Sequence, residues 1–174
     1  MNNMTSKIQW WWGWDSSGME KMLENMALKG WELYQMDWIG IRFHFQKGEK
    51  KKVRYCADYQ VDVGDDYFDI YKDAGWSIKW TGANGWYLWM KPYEEERPEI
   101  FTDTASLIER NNRLIQVLKP MFVILLILFV ILVSANMKAL RPLIFLYVAI
   151  ISLYSYLFFQ VAKYNKKLKD NIRE

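Results

Sequence analysis

The spacing of apolar residues divides the first hundred residues into short strands and two helices. Apolar and polar side chains alternate in "KIQWWW" and "KKVRYCADY", which is the two-residue period of a half-buried strand. In "GMEKMLENMALK" and "DDYFDIYKDA" the apolar residues recur three and four positions apart, as in an amphipathic helix. Gly-Trp and two more alternating segments follow each helix. The pattern therefore predicts the order strand, helix, strand, strand, and predicts it twice.

The two copies also match position by position. A displacement of 45 residues places Gly30 on Gly75 and Gly40 on Gly85, with apolar residues opposite apolar residues along most of the unit. Gly30 and Gly75 stand where a helix C-cap takes a positive φ. We therefore predict an α+β domain of tandem βαββ repeats, with helices on one side of an antiparallel sheet. The predicted boundaries are 1–93 for the domain, with repeats at about 6–47 and 51–92.

The last third of the chain contains two stretches that are apolar on every side. Residues 118–137 carry one charge, Lys119 near the start, and residues 143–162 carry none. Each stretch has about 20 residues, the length that crosses a hydrocarbon core. Two transmembrane helices are therefore predicted, with 94–117 as a linker and juxtamembrane helix and 163–174 as a basic tail. Two buried core helices are the less favoured alternative, because no other segment could enclose them.

The charges separate the same two regions. Residues 1–100 hold 13 Lys/Arg and 16 Asp/Glu, whereas residues 101–174 hold 10 and 4. A basic excess beside the most apolar sequence is typical of a membrane protein rather than of one that binds nucleic acid. More Lys and Arg flank the two stretches than lie between them, so the positive-inside bias predicts that both termini are cytoplasmic. The lack of a visible signal peptide agrees with that orientation.

Residues with catalytic or metal-binding chemistry are scarce. The single cysteine, Cys56, and the single histidine, His44, exclude an internal disulfide and are too few for a Cys/His metal site. His44 alternates with Phe43 and Phe45, so we expect it to be an ordinary residue on the opposite strand face. The acidic run 58–73 lacks the spacing of a calcium loop and is interpreted as a solvated helix face. The sequence thus predicts no catalytic residue, metal or cofactor.

Aromatic residues are the unusual part of the composition, since the chain contains ten tryptophans. The segments "WWW" and "WYLW" place large rings on both faces of a strand. An aromatic wall with one acid, Glu32, suits a lipophilic cation. The candidate ligand-binding residues are Trp11, Glu32, Tyr34, Trp38, Tyr87 and Trp89. Alternatively, the second aromatic face is core between the repeats, which we favour, or an interface with the membrane or another protein.

The segments "EKMLENMALKGWEL", "FHFQKGEKKKVRY", "YKDAGWSIKW" and "GWYLWMKP", followed by two apolar spans, resemble the bacterial DUF2812 family. The resemblance implies a membrane-anchored cytoplasmic protein of Gram-positive bacteria, of a kind commonly encoded beside a PadR-type transcriptional regulator. Duplicated βαββ units are also similar in architecture to gyrase-inhibitor-like domains. Those domains hold small hydrophobic or cationic molecules between their two copies.

Together these observations predict a non-catalytic sensor or adaptor with two spans in the bacterial cell membrane. Its expected partners are the lipid bilayer and a membrane complex or a PadR-type regulator pathway, in envelope-stress or drug response. The alternative is a module that binds hydrophobic or cationic small molecules at the membrane surface. A concave aromatic pocket with Glu32 or Tyr34 would favour the alternative, and a flat apolar face would favour the sensor or adaptor.

Overall fold

A computed structural model of the chain describes residues 3–98, 104–135 and 141–173. The chain divides into two compact units, Met1–Thr102 and Asp103–Glu174. Part of the predicted linker and most of the predicted turn between the two spans lie outside the described residues.

The first unit contains the predicted βαββ order twice. The elements are β1 (Met4–Ile8), α1 (Ser17–Leu28), β2 (Trp31–Met36), β3 (Arg42–Lys47), β4 (Val53–Tyr59), α2 (Asp65–Asp73), β5 (Ser77–Thr81) and β6 (Trp86–Pro92). All strand pairs are antiparallel, in two three-stranded sheets of order β1-β3-β2 and β4-β6-β5. The α+β class and the tandem repeat are confirmed, and each repeat forms a sheet of its own.

Both helices of this unit end at a glycine in the left-handed region. Gly30 has φ +76° and Gly75 has φ +80°. The N–H of Gly30 donates to the carbonyl of Ala27 at 3.0 Å, and that of Gly75 donates to the carbonyl of Lys72 at 2.8 Å. A side chain is strained at such a φ, which explains why both copies carry glycine here. The predicted positive φ at the two helix ends is confirmed.

The first strand lies earlier than the alternating pattern predicted. β1 ends at Ile8, and the three tryptophans at 10–12 lie in the following loop. In that loop the rings of Trp12 and Trp14 stack with centroids 4.7 Å apart. The indole N–H of Trp11 donates to the carbonyl of Gly40 at 2.7 Å. These contacts half-bury Trp11 and Trp12 without a strand, whereas Trp10 stays 60% exposed.

Helix α1 lies in a core that draws residues from both sheets. Its Met19 and Leu23 are each 1% exposed. The sheet residues of the same core are Leu33, Met36, Phe43 and Phe45 from the first repeat and Val53, Tyr55, Ala57 and Leu88 from the second. Burial of each large apolar side chain contributes about 2 kcal/mol. Helix α1 therefore links the two repeats as well as covering its own sheet.

Helix α2 packs on the opposite face of the second sheet. Successive residues of β6 point to opposite faces, so Leu88 joins the core around α1 whereas Trp89 joins a second cluster. Tyr67, Phe68 and Tyr71 of α2 surround Trp89, but no residue of α2 is itself buried. The two helices thus lie on different faces instead of one side, because the core around α1 already covers the first face of this sheet.

The second unit consists of two long helices, α3 (Thr104–Ser134) and α4 (Arg141–Arg173). Phe122 lies 5.8 Å from Tyr154 and Phe129 lies 6.4 Å from Tyr147 between ring centroids, so the helices pair antiparallel. Each helix contains a strongly apolar stretch of 18 residues in which no residue is buried. That exposure argues against buried core helices, and both helices are long and apolar enough to cross a membrane.

A polar contact joins the two helices outside the predicted spans. The side-chain amide of Asn111 donates to Oδ1 of Asn165 at 2.8 Å, and Asn165 donates to Oδ1 of Asn112 at 3.2 Å. Asn111 is completely buried. At about 1.5 Å per residue, the 31 residues of α3 and the 33 residues of α4 give lengths of about 45–50 Å, against roughly 30 Å for a hydrocarbon core. Each helix is therefore long enough to carry this contact outside an apolar span.

Candidate functional site

A small cavity lies between the two repeats. Trp31 and Glu32 of the first repeat and Tyr55, Met90 and Pro92 of the second contribute to its wall. Its volume is about 110 Å³, well below the roughly 300 Å³ at which drug-sized sites begin. The cavity therefore has room for one ring or for a small ammonium group.

The charged residues of the cavity wall are Glu32, Glu49 and Lys51, and two lysines outside the wall contact Glu32 and Trp31. Nζ of Lys79, from the second repeat, lies 3.6 Å from a carboxylate oxygen of Glu32. Nζ of Lys47 lies 4.8 Å from the centre of the Trp31 ring, as a cation–π contact. A cationic ligand would therefore have to displace Lys79 from Glu32.

Tyr55 is a residue of the cavity wall, and its hydroxyl forms a hydrogen bond with the backbone of Leu33. Burial raises the pKa of Tyr55, and the negative charges of Glu32 and Glu24 raise it further. The hydrogen bond with the backbone of Leu33 acts in the opposite direction. The hydroxyl consequently keeps its proton at neutral pH and remains able to donate a hydrogen bond.

Of the six candidate residues, Glu32 and Tyr34 lie on the first sheet, and only Glu32 lines the cavity. Tyr34 is 44% exposed and Trp38 is 76% exposed. A bulge between Leu33 and Gln35 interrupts the pairing of β2 with β3, so strict alternation fails at Tyr34. Trp38 lies beyond the end of β2, in a turn.

The other three candidates pack inside the unit. Trp11 meets Trp86 edge to face at 4.9 Å, which brings together rings of the two repeats. Tyr87 and Trp89 belong to the cluster under α2, where Trp89 is completely buried. The structure therefore does not assemble the six residues into one site, and their role in ligand binding stays a prediction.

A buried carboxylate beneath α2 was missed by the sequence analysis, which had placed it in a solvated acidic run. Asp58 lies in β4 and is completely buried. It accepts hydrogen bonds from the hydroxyls of Tyr67 at 3.0 Å and Tyr71 at 3.4 Å. The Tyr67 hydroxyl accepts in turn from the indole N–H of Trp89 at 3.1 Å. Its position two residues after Cys56 in an alternating strand is the signal that places Asp58 on the face of that buried cysteine.

The surroundings of Tyr67 raise the pKa of its hydroxyl well above the ordinary value. Burial raises the pKa of Tyr67, and the negative charge of Asp58 raises it further. The hydroxyl therefore acts as a hydrogen-bond donor to Asp58 over the physiological pH range. This arrangement holds α2 on the sheet and is suited to a structural role.

A buried ion-pair network between α1 and β4 was also missed. Nη1 of Arg54 lies 2.8 Å from a carboxylate oxygen of Glu20 and 3.0 Å from one of Glu24. Glu20 also accepts the backbone N–H of Ala57 at 3.0 Å. Because β4 is an edge strand, the carboxylates take the place of a missing neighbouring strand. Glu20 and Arg54 are 34 positions apart in the chain, and no local pattern pairs them.

The described residues include no group of three or more His, Cys, Asp or Glu side chains that could hold a metal ion. Cys56 is buried in the cluster under α2. His44 is half-buried, and its ring lies 6.1 Å from that of Tyr34. These positions agree with the sequence interpretation of both residues as strand residues.

Comparison with known proteins gives one match. A family model described as "Protein of unknown function (DUF2812)" matches residues 15–126, from just before α1 into α3. No curated protein and no solved structure matches the chain. Since the family model covers more than half of the sequence, the chain belongs to the DUF2812 family of proteins of unknown function.

Proposed function

We propose that this protein is a non-catalytic sensor or adaptor that two transmembrane helices anchor in a bacterial cell membrane. The exposed apolar surface of α3 and α4 carries the proposal. Phe145 and Phe159, for example, are 78% and 64% exposed. Helices that are apolar all round need a bilayer or a protein interior. The most apolar 18 residues of each of these two helices include no buried residue. The excess of basic residues at their outer ends supports cytoplasmic termini.

The soluble unit would then act by contact rather than by chemistry. Its buried acids, Asp58 and Glu20, are engaged by tyrosine hydroxyls and by an arginine. The partner in this proposal is a membrane complex or a PadR-type regulator pathway, in the response to envelope stress or drugs.

Membrane anchoring is tested by extracting cell membranes with alkaline carbonate, which releases peripheral proteins. We expect the full chain to stay in the pellet. For orientation, single cysteines replace Glu95 and Lys166 in a Cys56→Ser background, and spheroplasts are treated with a membrane-impermeant maleimide. We expect labelling only after permeabilisation. Release by carbonate would contradict the anchor, and labelling of intact spheroplasts would contradict the orientation.

The cavity between the repeats favours a second candidate function, the binding of a small molecule. In this proposal an aromatic ring lies against Trp31 and Met90, and an ammonium group replaces Lys79 beside Glu32. The volume of about 110 Å³ limits the enclosed part of the ligand to roughly one ring, with the ammonium group outside the cavity in the place of Lys79. Benzyltrimethylammonium is a suitable probe, and benzyl alcohol is its neutral counterpart.

The binding candidate is tested by titrating each probe into the full chain in mild detergent and following tryptophan emission. We expect saturable quenching by the cation, roughly fivefold weaker binding in Glu32→Gln and stronger binding in Lys79→Met. Glu95→Gln is the control, because Glu95 is exposed and does not line the cavity. A flat titration of folded protein would exclude binding of such a ligand and leave the adaptor function.

A further inference from the structure

Four large apolar side chains are exposed together at one end of the first sheet. They are Ile8, Trp10, Trp38 and Ile39, with exposures of 70%, 60%, 76% and 63%. We call these four residues the Trp–Ile patch. Large exposed apolar patches on soluble units usually mark contacts with proteins or membranes.

Hydrogen bonds hold the two segments of the patch together. Ile8 and Trp10 flank Gln9, whose N–H donates to the carbonyl of Ile41 at 2.9 Å. Trp38 and Ile39 are the central residues of a turn, in which the N–H of Gly40 donates to the carbonyl of Asp37 at 3.0 Å. The turn therefore directs two adjacent apolar side chains outward.

Hydrogen bonds from two partly buried tryptophans support this turn. The indole N–H of Trp11 donates to the carbonyl of Gly40 at 2.7 Å, and that of Trp80 donates to the carbonyl of Asp37 at 3.1 Å. A carboxylate oxygen of Asp37 also accepts the N–H of Ile41 at 2.8 Å. The patch is consequently fixed in shape and cannot bury itself by local collapse.

From this geometry we infer that the Trp–Ile patch docks on the surface of an anionic lipid bilayer. Tryptophan prefers the membrane–water interface, where its ring is buried and its N–H stays hydrated. Arg42 is exposed and is the cross-strand partner of Ile8, so its guanidinium adjoins the patch. This cation complements anionic headgroups. The inference rests on the proposed anchoring, because α3 and α4 would keep the bilayer at a high effective concentration.

The positions of the tryptophans allow a direct test. All ten lie between residues 10 and 89, so the two apolar helices contribute no tryptophan emission. The full chain is reconstituted into phosphatidylcholine–phosphatidylglycerol vesicles, either unlabelled or brominated on the acyl chains. Bromine quenches only rings that reach the bilayer. Trp10 and Trp38 are the two exposed tryptophans of ten, so we expect a loss of roughly one fifth of the emission. Bromines near the glycerol end should quench more than bromines near the chain terminus.

Matched variants locate the contact. Ile8→Ser with Ile39→Ser keeps every tryptophan but weakens the patch, and we expect it to abolish most of the quenching. The control, Val61→Ser with Ile70→Ser, removes two exposed apolar side chains elsewhere in the unit and should leave the quenching unchanged. Pure phosphatidylcholine vesicles should also give less quenching, because they lack the anionic headgroups. Equal quenching in the two double variants would overturn the assignment to this patch.

Flotation of the same vesicles separates the two proposals. Protein that does not float with the vesicles contradicts the anchoring itself. If the protein floats but brominated and unlabelled lipids give the same emission, the anchoring stands and the docking is wrong. In that case a protein partner or a second copy of the chain is the occupant of the patch. The comparison of lipids uses the wild-type chain, so it decides the question even if a variant fails to fold.

Discussion

Helices α1 and α2 hold equivalent places in the two repeats, but their environments differ. α1 presents methionine and leucine to a core that both sheets share, and Met19 and Leu23 are almost inaccessible. α2 presents tyrosine and phenylalanine to one sheet, and none of its residues is buried. A shared βαββ order thus leaves open how deeply each helix is buried. Helix α1 packs against both sheets and is central to the unit, whereas α2 packs against one sheet and is peripheral.

The largest difference in stability between a variant at α1 and a variant at α2 should come from breaking the ion pair that joins α1 to the second repeat. Arg54→Met leaves Glu20, which is 5% exposed, without its guanidinium. We expect a loss of about 3–5 kcal/mol in the free energy of unfolding. Lys72→Met is the control, because the pair of Lys72 with Asp69 is exposed and should contribute less than about 1 kcal/mol. Denaturation of the full chain in detergent, followed by tryptophan emission, measures both; equal losses would contradict the central role of α1.

A smaller difference is expected from truncating one side chain in each helix. Leu23→Ala opens a cavity in the shared core and should cost about 3 kcal/mol in the free energy of unfolding. Phe68→Ala removes a larger but only partly buried side chain from the cluster under α2, and should cost about half as much. The same denaturation experiment compares the two variants. A greater loss in Phe68→Ala would mean that α2 is as central as α1.

The smallest effect concerns the alkaline side of the pH profile. Burial first, and the charge of Asp58 second, raise the pKa of Tyr67 above its ordinary value of 10.0. Below pH 10 the stabilisation is fully present, because Tyr67 is protonated in both the folded and the unfolded chain. Above pH 10 the unfolded chain loses this proton first, so the free energy of unfolding falls by up to about 1.4 kcal/mol per pH unit. Tyr67→Phe removes the contribution of Tyr67 to this fall in the free energy of unfolding.

The pH effect is measured as the slope of the free energy of unfolding between pH 10 and the alkaline limit of folding. Burial also raises the pKa of Tyr55 and of Tyr59, so we expect a reduced slope in Tyr67→Phe rather than a flat profile. An unchanged slope would mean that Tyr67 titrates alike in the folded and unfolded chain, contrary to its place beneath α2.

The order of elements was predictable because it depends on local patterns. Helical spacing ends at Gly30 and Gly75, and both glycines have the positive φ that their position implied. The loop at 10–12 was not predictable in the same way. Consecutive tryptophans are as typical of a strand as of a loop whose rings pack on one another. The stacking of Trp12 on Trp14 cannot be inferred from the spacing of apolar residues.

The candidate site depended on tertiary contacts and was therefore predicted less well. Glu32 does line the cavity between the repeats, whereas Tyr34 lies outside the cavity wall, with its ring 6.1 Å from that of His44. Whether Trp89 faces a ligand or a helix depends on which face of the sheet α2 covers. Alternation alone separates the two faces without telling which one each helix covers. Ion pairs such as Glu20 with Arg54 depend on the packing of one repeat against the other.

The asparagine contact between α3 and α4 limits how the two helices can move relative to each other. A buried amide pair in a helical interface fixes the register of two helices, because sliding one by a single turn would leave both amides unsatisfied. Asn111 and Asn165 lie outside the predicted spans, at the helix ends away from the connecting turn. The two helices can therefore tilt or rotate together as a rigid body. Axial sliding of one helix along the other would have to break the asparagine hydrogen bonds. Under the proposed sensor function, a signal would therefore pass through these helices as a rigid-body displacement of both.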